Sequence, residues 1–405
     1  MMGEMVRQAC VLVGGKGTRL GALTQATPKP MLNLGDDVTF LDLLLGEIAR
    51  QGFDDIILLA GYLGHMVEER YAGKTVGAAT VRVLIEPEPR GTGGALLSAQ
   101  GGLAPRFMLL NGDSFFDVNL RGLAADAAGH EATMALRSID DPSRYGTAEL
   151  DGTLIRRFRE KDASIEGPAL INAGIYVLDR LVLDGIDQLP CSIEADIFPR
   201  LAKERRLAGL VREGYFLDIG LPVTLEQGRR ELLDRRRRPT AFLDRDGVLN
   251  LDHGYVHRPD QVVWVEGAPQ AIRHLNERGY RVIVVTNQAG VARGYYEESA
   301  IHILHDWMRQ ELAGSGAYID QFYYCPSHPE GRVERYRRED DNRKPGSGMI
   351  RQAFADHLSA QDRSFLIGDK LTDIQAAERA RIPGFLFPGG DLYAFTTRCL
   401  AQMEC

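Results

Sequence analysis

The sequence predicts an α/β chain built of two three-layer α/β/α domains. Short apolar, β-rich runs alternate with segments of helical spacing, which is the pattern of βαβ units around a mainly parallel sheet. Glycine-rich or aspartate-bearing turns follow directly on several of these runs, where open sheets of this kind place their ligands. The alternation pauses at a basic, proline-ended stretch and then restarts, and 405 residues exceed what one core usually serves. The partition predicted is a domain over 1–234, a basic linker over 235–239 and a second domain over 240–405.

Taken in order, residues 9–13 form a short apolar run that ends at glycines, and residues 40–51 have helical spacing. Residues 55–60, 82–86 and 107–110 continue the strand rhythm. The turns Gly14–Leu20 and Asn111-Gly112-Asp113 each stand just after such a strand. Residues 231–239 read as a helix running into the linker, with Arg235 to Arg238 complementing the negative end of the helix dipole rather than gripping nucleic acid. Strands are expected again at 240–243, at 284–288 and at 365–367.

Composition excludes several classes. The formal charge of -8 argues against a general nucleic-acid binder. No apolar run approaches the roughly 20 residues of a membrane span, and the first fifteen residues lack the apolar stretch of a signal peptide. Five scattered cysteines (Cys10, Cys191, Cys325, Cys399 and Cys405) fit a reducing cytoplasm better than a disulfide framework. The expected partners are small molecules, with no nucleic acid and no membrane, and nothing excludes an oligomer.

Gly14, Gly15 and Gly17 allow tight backbone curvature and aim amides at phosphate oxygens, while Lys16, Arg19 and Lys29 bring positive charge. The loop lacks both the Gly-Lys-Ser/Thr of a P-loop and the spacing of a dinucleotide fingerprint. Asp113 and Asp218, each after an apolar strand, suit a hard divalent cation. Gly-Gly-Lys-Gly-Thr-Arg-Leu (14–20) followed by Pro28-Lys29-Pro30-Met31 resembles the sugar-1-phosphate nucleotidyltransferase family. The resemblance runs in order along residues 8–225: Glu86 to Ala95, Asn111-Gly112-Asp113, Tyr145-Gly146, Glu160-Lys161, Asn172-Ala173-Gly174, Ser192 to Pro199 and Leu217-Asp218-Ile219-Gly220. It implies a Rossmann-like domain in which a sugar phosphate attacks the α-phosphorus of a nucleoside triphosphate. The implied nucleotide contacts are Gly14, Gly15, Gly17, Thr18, Glu86, Gly91, Thr92 and Gly93. Arg19 and Lys29 would stabilise pyrophosphate. Gly146, Glu160, Lys161 and Asn172 would hold the sugar phosphate, and Asp113 and Asp218 would hold Mg²⁺.

The second half carries Asp244 and Asp246 at a strand end before Gly247. One carboxylate can attack phosphorus and the other can protonate the leaving oxygen. Phe242-Leu243-Asp244-Arg245-Asp246-Gly247 resembles the first motif of the haloacid-dehalogenase phosphatases, and Thr286, Lys344 and Asp369 stand where that family's other motifs fall. FLDRDGVLN, TNQAGVARGYY, YYCPSHPEG, RKPGSGM and IGDKLTDIQAA resemble the heptose-1,7-bisphosphate phosphatases and their histidinol-phosphatase relatives. This implies a capless Rossmannoid domain, Mg²⁺ on Asp244, Asp369 and the Asp246 carbonyl, phosphoryl contacts from Thr286 and Lys344, and substrate contacts from Asn287 and Arg343. His253 and His257 could touch substrate or lie on a surface loop.

One departure stands out. That family commonly holds a structural zinc with Cys-x-His and Cys-x-Cys, whereas the matching positions here are Cys325, Ser327, Asp340 and Asn342. Even with His328 the ligand set is incomplete, so no structural zinc is expected. Together the two resemblances imply a bifunctional enzyme of nucleotide-activated heptose synthesis, with a guanylyltransferase as the favoured first half. Another hexose phosphate as substrate, or one half serving only as a binding or regulatory module, are the alternatives.

Overall fold

The computed structural model describes residues 5–161 and 167–403; Cys405 and the first four residues lie outside them. The chain divides into two compact units, one up to Asp234 and one from Arg235 onward.

Among the described residues the first unit has a ten-stranded sheet. Its order is Thr147–Asp151, Leu154–Arg159, Leu207–Val211, Ala132–Ile139, Ala169–Asp179, Arg106–Asn111, Gln8–Leu12, Asp55–Ala60, Ala79–Ile85 and Thr75–Val76. Gln8–Leu12 pairs in parallel with both Asp55–Ala60 and Arg106–Asn111. The expected mainly parallel sheet needs correction, because Ala169–Asp179 runs antiparallel to both of its long neighbours and makes the sheet mixed. A strand covered on both faces is apolar throughout whatever its neighbour's direction, so the residues alone do not reveal it.

Alternation along the strands builds the layers. Ala9, Val11, Ile56, Leu58, Met108 and Leu110 pack with Phe40, Leu44 and Ile48 of the helix Phe40–Arg50 on one face. Cys10, Ile57, Leu59, Phe107 and Leu109 pack with Leu96, Phe198 and Leu201 on the other. Thr39 starts the helix Phe40–Arg50 with a capping box: its Oγ1 accepts from Asp42 N at 3.0 Å, and the Asp42 carboxylate accepts from Thr39 N at 3.0 Å.

The helix expected to run through 231–238 ends earlier. It spans Pro222–Glu231, and only a single 3-10 turn, Asp234–Arg236, follows. Arg238 is buried, its amide donates to Leu358 O at 3.3 Å, and its carbonyl accepts from Ala360 N at 2.9 Å. These bonds require extended backbone, so the arginine run leaves the helix despite its good helix propensity.

Among the described residues the second unit has a five-stranded sheet, all parallel, in the order Gln321–Cys325, Arg281–Asn287, Thr240–Leu243, Phe365–Gly368 and Gly384–Leu386. Leu243, Val284 and Ile367 face Ile272, Leu304 and Met308, while Phe242, Ile283 and Leu366 face Ile350, Ala353 and Ala377. The carboxyl ends of the three central strands present Thr286, Asp244 and Asp369 side by side. All four described cysteines are buried and free. Among the described residues no helix is long and apolar enough to cross a membrane.

Candidate active sites

In the first unit, an open cleft of about 230 Å³ lies at the carboxyl end of Arg106–Asn111. Arg19, Asp113, Gly146, Glu160, Lys161, Asn172 and Asp218 all line it. Asp113 and Asp218 are brought together by the ladder Ser114–Phe116 with Phe216–Asp218, in which Asp218 pairs with Ser114, and by Ile219 N donating to Asp113 O at 3.0 Å. Lys29 is buried and its Nζ stands 2.7 Å from Asp113 Oδ2. Burial pushes the Asp113 carboxyl up, but the Lys29 charge and hydrogen bond, with help from Ser114 and Lys161, outweigh it and hold it below the usual range. A methyl group at Gly220 would fall within 3.2 Å of Lys29 Nζ, 3.5 Å of an Arg19 nitrogen and 2.5 Å of Asp218 Oδ1. Both cations and one acid therefore converge on that bare α-carbon.

The residues expected to contact the nucleotide, Gly14, Gly15, Gly17, Thr18, Glu86, Gly91, Thr92 and Gly93, are not in the lining of this cleft. Gly17 takes φ 62° ahead of the exposed Thr18, and a side chain there would meet Thr24. Gly14 packs against Gly61, whose missing side chain also faces Glu86 Oε2. Gly15 is open, with no neighbour for a side chain to meet. Glu86 Oε1 is buried without a hydrogen-bond partner, and burial pushes this carboxyl up against the opposing charge of Arg90. Gly91 and Gly93 let the chain at Cys191 approach: Gly93 N donates to Cys191 O at 2.9 Å, and a methyl group at Gly91 would strike that carbonyl. The Thr92 hydroxyl is turned inward, donating to Glu194 Oε2 at 2.9 Å and accepting from Ile193 N at 2.8 Å. Asn172 likewise turns to its own strand, its amide engaged by Gly174 N and the Tyr176 hydroxyl.

Two charged cleft residues were given no role from the sequence. Arg144 reaches to 3.4 Å from Asp218 Oδ1, and Glu194 lies in the cleft wall, where burial pushes its carboxyl up. Both sit inside or beside segments whose other residues carried the resemblance, and that adjacency was the available signal.

In the second unit, Lys344 Nζ is the centre of the site. It stands 2.8 Å from Asp244 Oδ1, 2.6 Å from Asp373 Oδ1 and 2.8 Å from Val285 O, and the lysine and both acids are buried. Burial pulls the lysine down, yet the two carboxylates outweigh it and raise it above its ordinary value. Burial raises the Asp244 carboxyl, Lys344 opposes this, and the nearby Asp373 and Asp246 charges add to the rise. Asn287 pins the lysine's backbone through two bonds of 3.0 Å, one to Lys344 O and one from Lys344 N.

Asp246 has its own set of donors. Arg245, wholly buried, forks onto its carboxylate, Asn250 Nδ2 donates at 3.0 Å, and Gln288 Nε2 donates at 2.9 Å. Gln288 Nε2 also donates to Thr286 Oγ1 at 2.9 Å, and Gln288 Oε1 accepts from the Tyr296 hydroxyl at 2.8 Å. His257 stacks on Tyr296 with ring centres 4.4 Å apart, whereas His253 is exposed on the same loop.

A cation could sit among Asp244, Asp369 and Asp373, each of which offers an oxygen within 4.8 Å of the others. Asp369 Oδ1 is buried without a hydrogen-bond partner, and a side chain at Gly247 would collide with Asp369, so the residues fit a small, hard, oxygen-bound ion. Asp373 and Gln288 were missed by sequence reasoning. Asp373 reads as an ordinary helix cap, which it also is, since its carboxylate accepts from Lys370 N. Gln288 is uncharged and gives no signal beyond standing two residues after Thr286. Near this site Cys325 is buried against Ser327 O, and Ser327 Oγ donates to Asp340 Oδ2 at 2.9 Å.

A nucleotidyl transferase family model matches residues 8–235. The chain belongs to the nucleotidyl transferase family. HddC from Yersinia pseudotuberculosis has a crystal structure similar to this transferase, with a TM-score of 0.51 and 27% identity over 56% of this chain and 100% of that one. A second crystal structure of HddC is described as a complex with GMP-PN. Beyond the transferase domain, a HAD-hydrolase-like model matches residues 342–393. The D-glycero-beta-D-manno-heptose-1,7-bisphosphate 7-phosphatase of Rhodopseudomonas palustris is 46% identical over 168 residues, 42% of this chain and 93% of that protein. The Escherichia coli K12 enzyme of the same description is 45% identical over 151 residues, 36% and 75% of the respective chains. The transferase is thus fused to a phosphatase of that family.

Proposed function

We propose that the phosphatase unit removes the 7-phosphate of D-glycero-D-manno-heptose 1,7-bisphosphate and that the transferase unit joins the resulting heptose 1-phosphate to GMP from GTP, releasing pyrophosphate. The observation that carries this is the 46% identity to a heptose-bisphosphate phosphatase within a chain whose other unit is a nucleotidyl transferase. The HddC complex with GMP-PN supports the choice of guanine.

In the phosphatase unit, Asp244 attacks the 7-phosphorus, the bond from phosphorus to the sugar oxygen breaks, and Asp246 gives that oxygen a proton. Water then cleaves the aspartyl-phosphate and frees inorganic phosphate. Lys344 and Thr286 hold the transferring group, while Asn287 and Arg343 orient the sugar phosphate. In the transferase unit, a 1-phosphate oxygen attacks the α-phosphorus of the nucleotide. Arg19 and Lys29 receive the departing pyrophosphate, Lys161 and Glu160 hold the sugar phosphate, and the Gly14–Thr18 loop with Glu86 seats the nucleotide. Mg²⁺ would be held by Asp113 and Asp218 in one site and by Asp244, Asp369 and the Asp246 carbonyl in the other, where it supplies charge neutralisation on the phosphate oxygens. The buried free thiols are in keeping with work in the cytoplasm.

One reaction tests both halves: protein, Mg²⁺, the heptose bisphosphate and an equal mixture of GTP, ATP, CTP and UTP, followed by mass spectrometry. GDP-heptose is the expected product. Asp244→Asn should stop phosphate release yet still convert supplied heptose 1-phosphate, and Asp113→Ala should do the reverse. Untouched bisphosphate would overturn the heptose assignment, and loss of both activities in either variant would overturn two independent sites.

A further inference from the structure

Between the two aspartates of the phosphatase centre stands Arg245, and it touches both. Its backbone N donates to Asp244 Oδ1 at 2.7 Å. Its guanidinium forks onto the Asp246 carboxylate, through Nε at 3.1 Å and through Nη2 at 3.0 and 2.9 Å. Nη2 also donates to Val256 O at 2.6 Å, which ties the fork to the segment that carries His253 and His257. On the far side, Nη1 lies 3.4 Å from His305 Nε2. A guanidinium only donates, so His305 Nε2 is the acceptor there. His305 is buried and stacks on Phe322 with ring centres 4.1 Å apart.

A buried ion pair is weak evidence of a stabilising role, because desolvation offsets the attraction. This pair is also not closed. The Arg245 side chain has 0% of its surface exposed and that of Asp246 has 17%, so the cation is sealed in while the carboxylate keeps an open edge. Asn250 Nδ2 at 3.0 Å and Gln288 Nε2 at 2.9 Å complete the printed donors to Asp246, and the same Gln288 nitrogen reaches Thr286 Oγ1 at 2.9 Å. Among the described residues, the side chains donating to Asp246 are one guanidinium and two amides. None of these takes up or gives up a proton near neutrality. A proton on Asp246 therefore has only substrate or water to go to.

We propose that Arg245 is a positioning residue for the proton transfers of the phosphatase, gripping the Asp246 carboxyl at two points, with His305 as the buttress behind it. A planar fork fixes both the place and the tilt of a carboxyl group, which a single ammonium cannot do. This rests on the phosphatase assignment above. In the first half-reaction the bond from phosphorus to the sugar oxygen breaks and the Asp246 proton passes to that oxygen. In the second, water attacks the phosphorus of the aspartyl-phosphate and its proton returns to Asp246. Arg245 exchanges no proton in either; it decides where the carboxyl stands.

The test uses the full chain and two substrates that differ in their need for that proton. The sugar oxygen of heptose 1,7-bisphosphate is a poor leaving group until protonated, whereas p-nitrophenyl phosphate releases a stabilised phenolate that needs no proton. The comparison is made in kcat/KM, which reports the steps up to the aspartyl-phosphate. Arg245→Lys keeps the charge and loses the fork, and it should lower the ratio of the heptose value to the nitrophenyl value about 100-fold, the low end of what a general acid contributes. His305→Leu leaves Arg245 in place without its acceptor and should move the ratio the same way by a smaller factor. His305→Gln, which can still accept, should restore it. If Arg245→Lys does not fold, the two His305 variants read the same ratio. Equal losses on both substrates, or an unchanged ratio, would show a merely structural ion pair and overturn the proposal while leaving the phosphatase assignment standing. A wild type that cleaves p-nitrophenyl phosphate but no heptose bisphosphate would instead overturn the sugar oxygen as the target of Asp246, and the proposal with it.

Discussion

Lys344 and Asp373 form a buried ion pair of 2.6 Å beside the candidate nucleophile, so the lysine stands between two carboxylates rather than on one. Removing the cation leaves two buried acids facing each other. Lys344→Met should therefore abolish phosphate release and destabilise the second unit by about 3–5 kcal/mol, the usual cost of breaking a buried pair. Thermal unfolding of the variant beside the wild type measures this, and an unchanged midpoint would refute it.

His305 gives the second unit an acid sensitivity. Its ring stacks on Phe322 at 4.1 Å, and its Nε2 lies 3.4 Å from the buried Arg245 guanidinium. Burial and then the Arg245 charge lower its proton affinity far below the ordinary value of 6.5. The unfolded imidazole takes up a proton as pH falls through that ordinary value and the folded one does not, so acid favours unfolding. This contribution to stability is fully present above 6.5 and should fall by about 1.4 kcal/mol per pH unit below it. Denaturant unfolding at pH 7.5 and pH 5.5 should show the loss, and His305→Phe should flatten it.

Gln288 spends both amide hydrogens at once, on Asp246 and on Thr286, and the Tyr296 hydroxyl fixes which way the amide points. With Thr286 Oγ1 already accepting, its own proton is free to point at a phosphoryl group. Gln288→Leu should lower kcat for phosphate release roughly 10- to 30-fold, the worth of one or two buried hydrogen bonds, while KM changes less. Tyr296→Phe should give a smaller loss of the same kind. A fall confined to KM would show that the amide acts on binding alone.

At the positions that the resemblance matched to a zinc loop, Ser327 and Asp340 are joined directly by a hydrogen bond of 2.9 Å, and Asn342 N donates to Asp340 Oδ1 at 3.0 Å. Purified protein should carry well under one zinc per chain by elemental analysis, and a zinc chelator should leave the melting temperature in place. Ser327→Ala should cost about 1 kcal/mol by leaving Asp340 short of a donor.

The strands at 55–60, 240–243 and 365–367 could be read from the residues because each is an apolar run bounded by polar turns and too short for a helix. The direction of Ala169–Asp179 could not, since its burial on both faces conceals which way its neighbours run. The early end of Pro222–Glu231 was hidden by a different cause: the bonds that Arg238 makes to residues 358–360 are long-range, and no local propensity encodes them. At the sites, charged residues in short motifs declared themselves, and Asp113, Asp218, Asp244, Lys344 and Asp369 all lie in the candidate sites. Groups whose part is to orient others, such as Gln288, carry ordinary side chains in ordinary places and became visible only through their partners.

The bare α-carbon of Gly220 has a genetic consequence. A single-codon change to alanine would push a methyl group among Lys29, Arg19 and Asp218 in the transferase unit. Such an allele would be a natural separation-of-function mutant: a cell carrying it would still run the upstream reaction and would pile up its product, a metabolic signature distinct from that of a null.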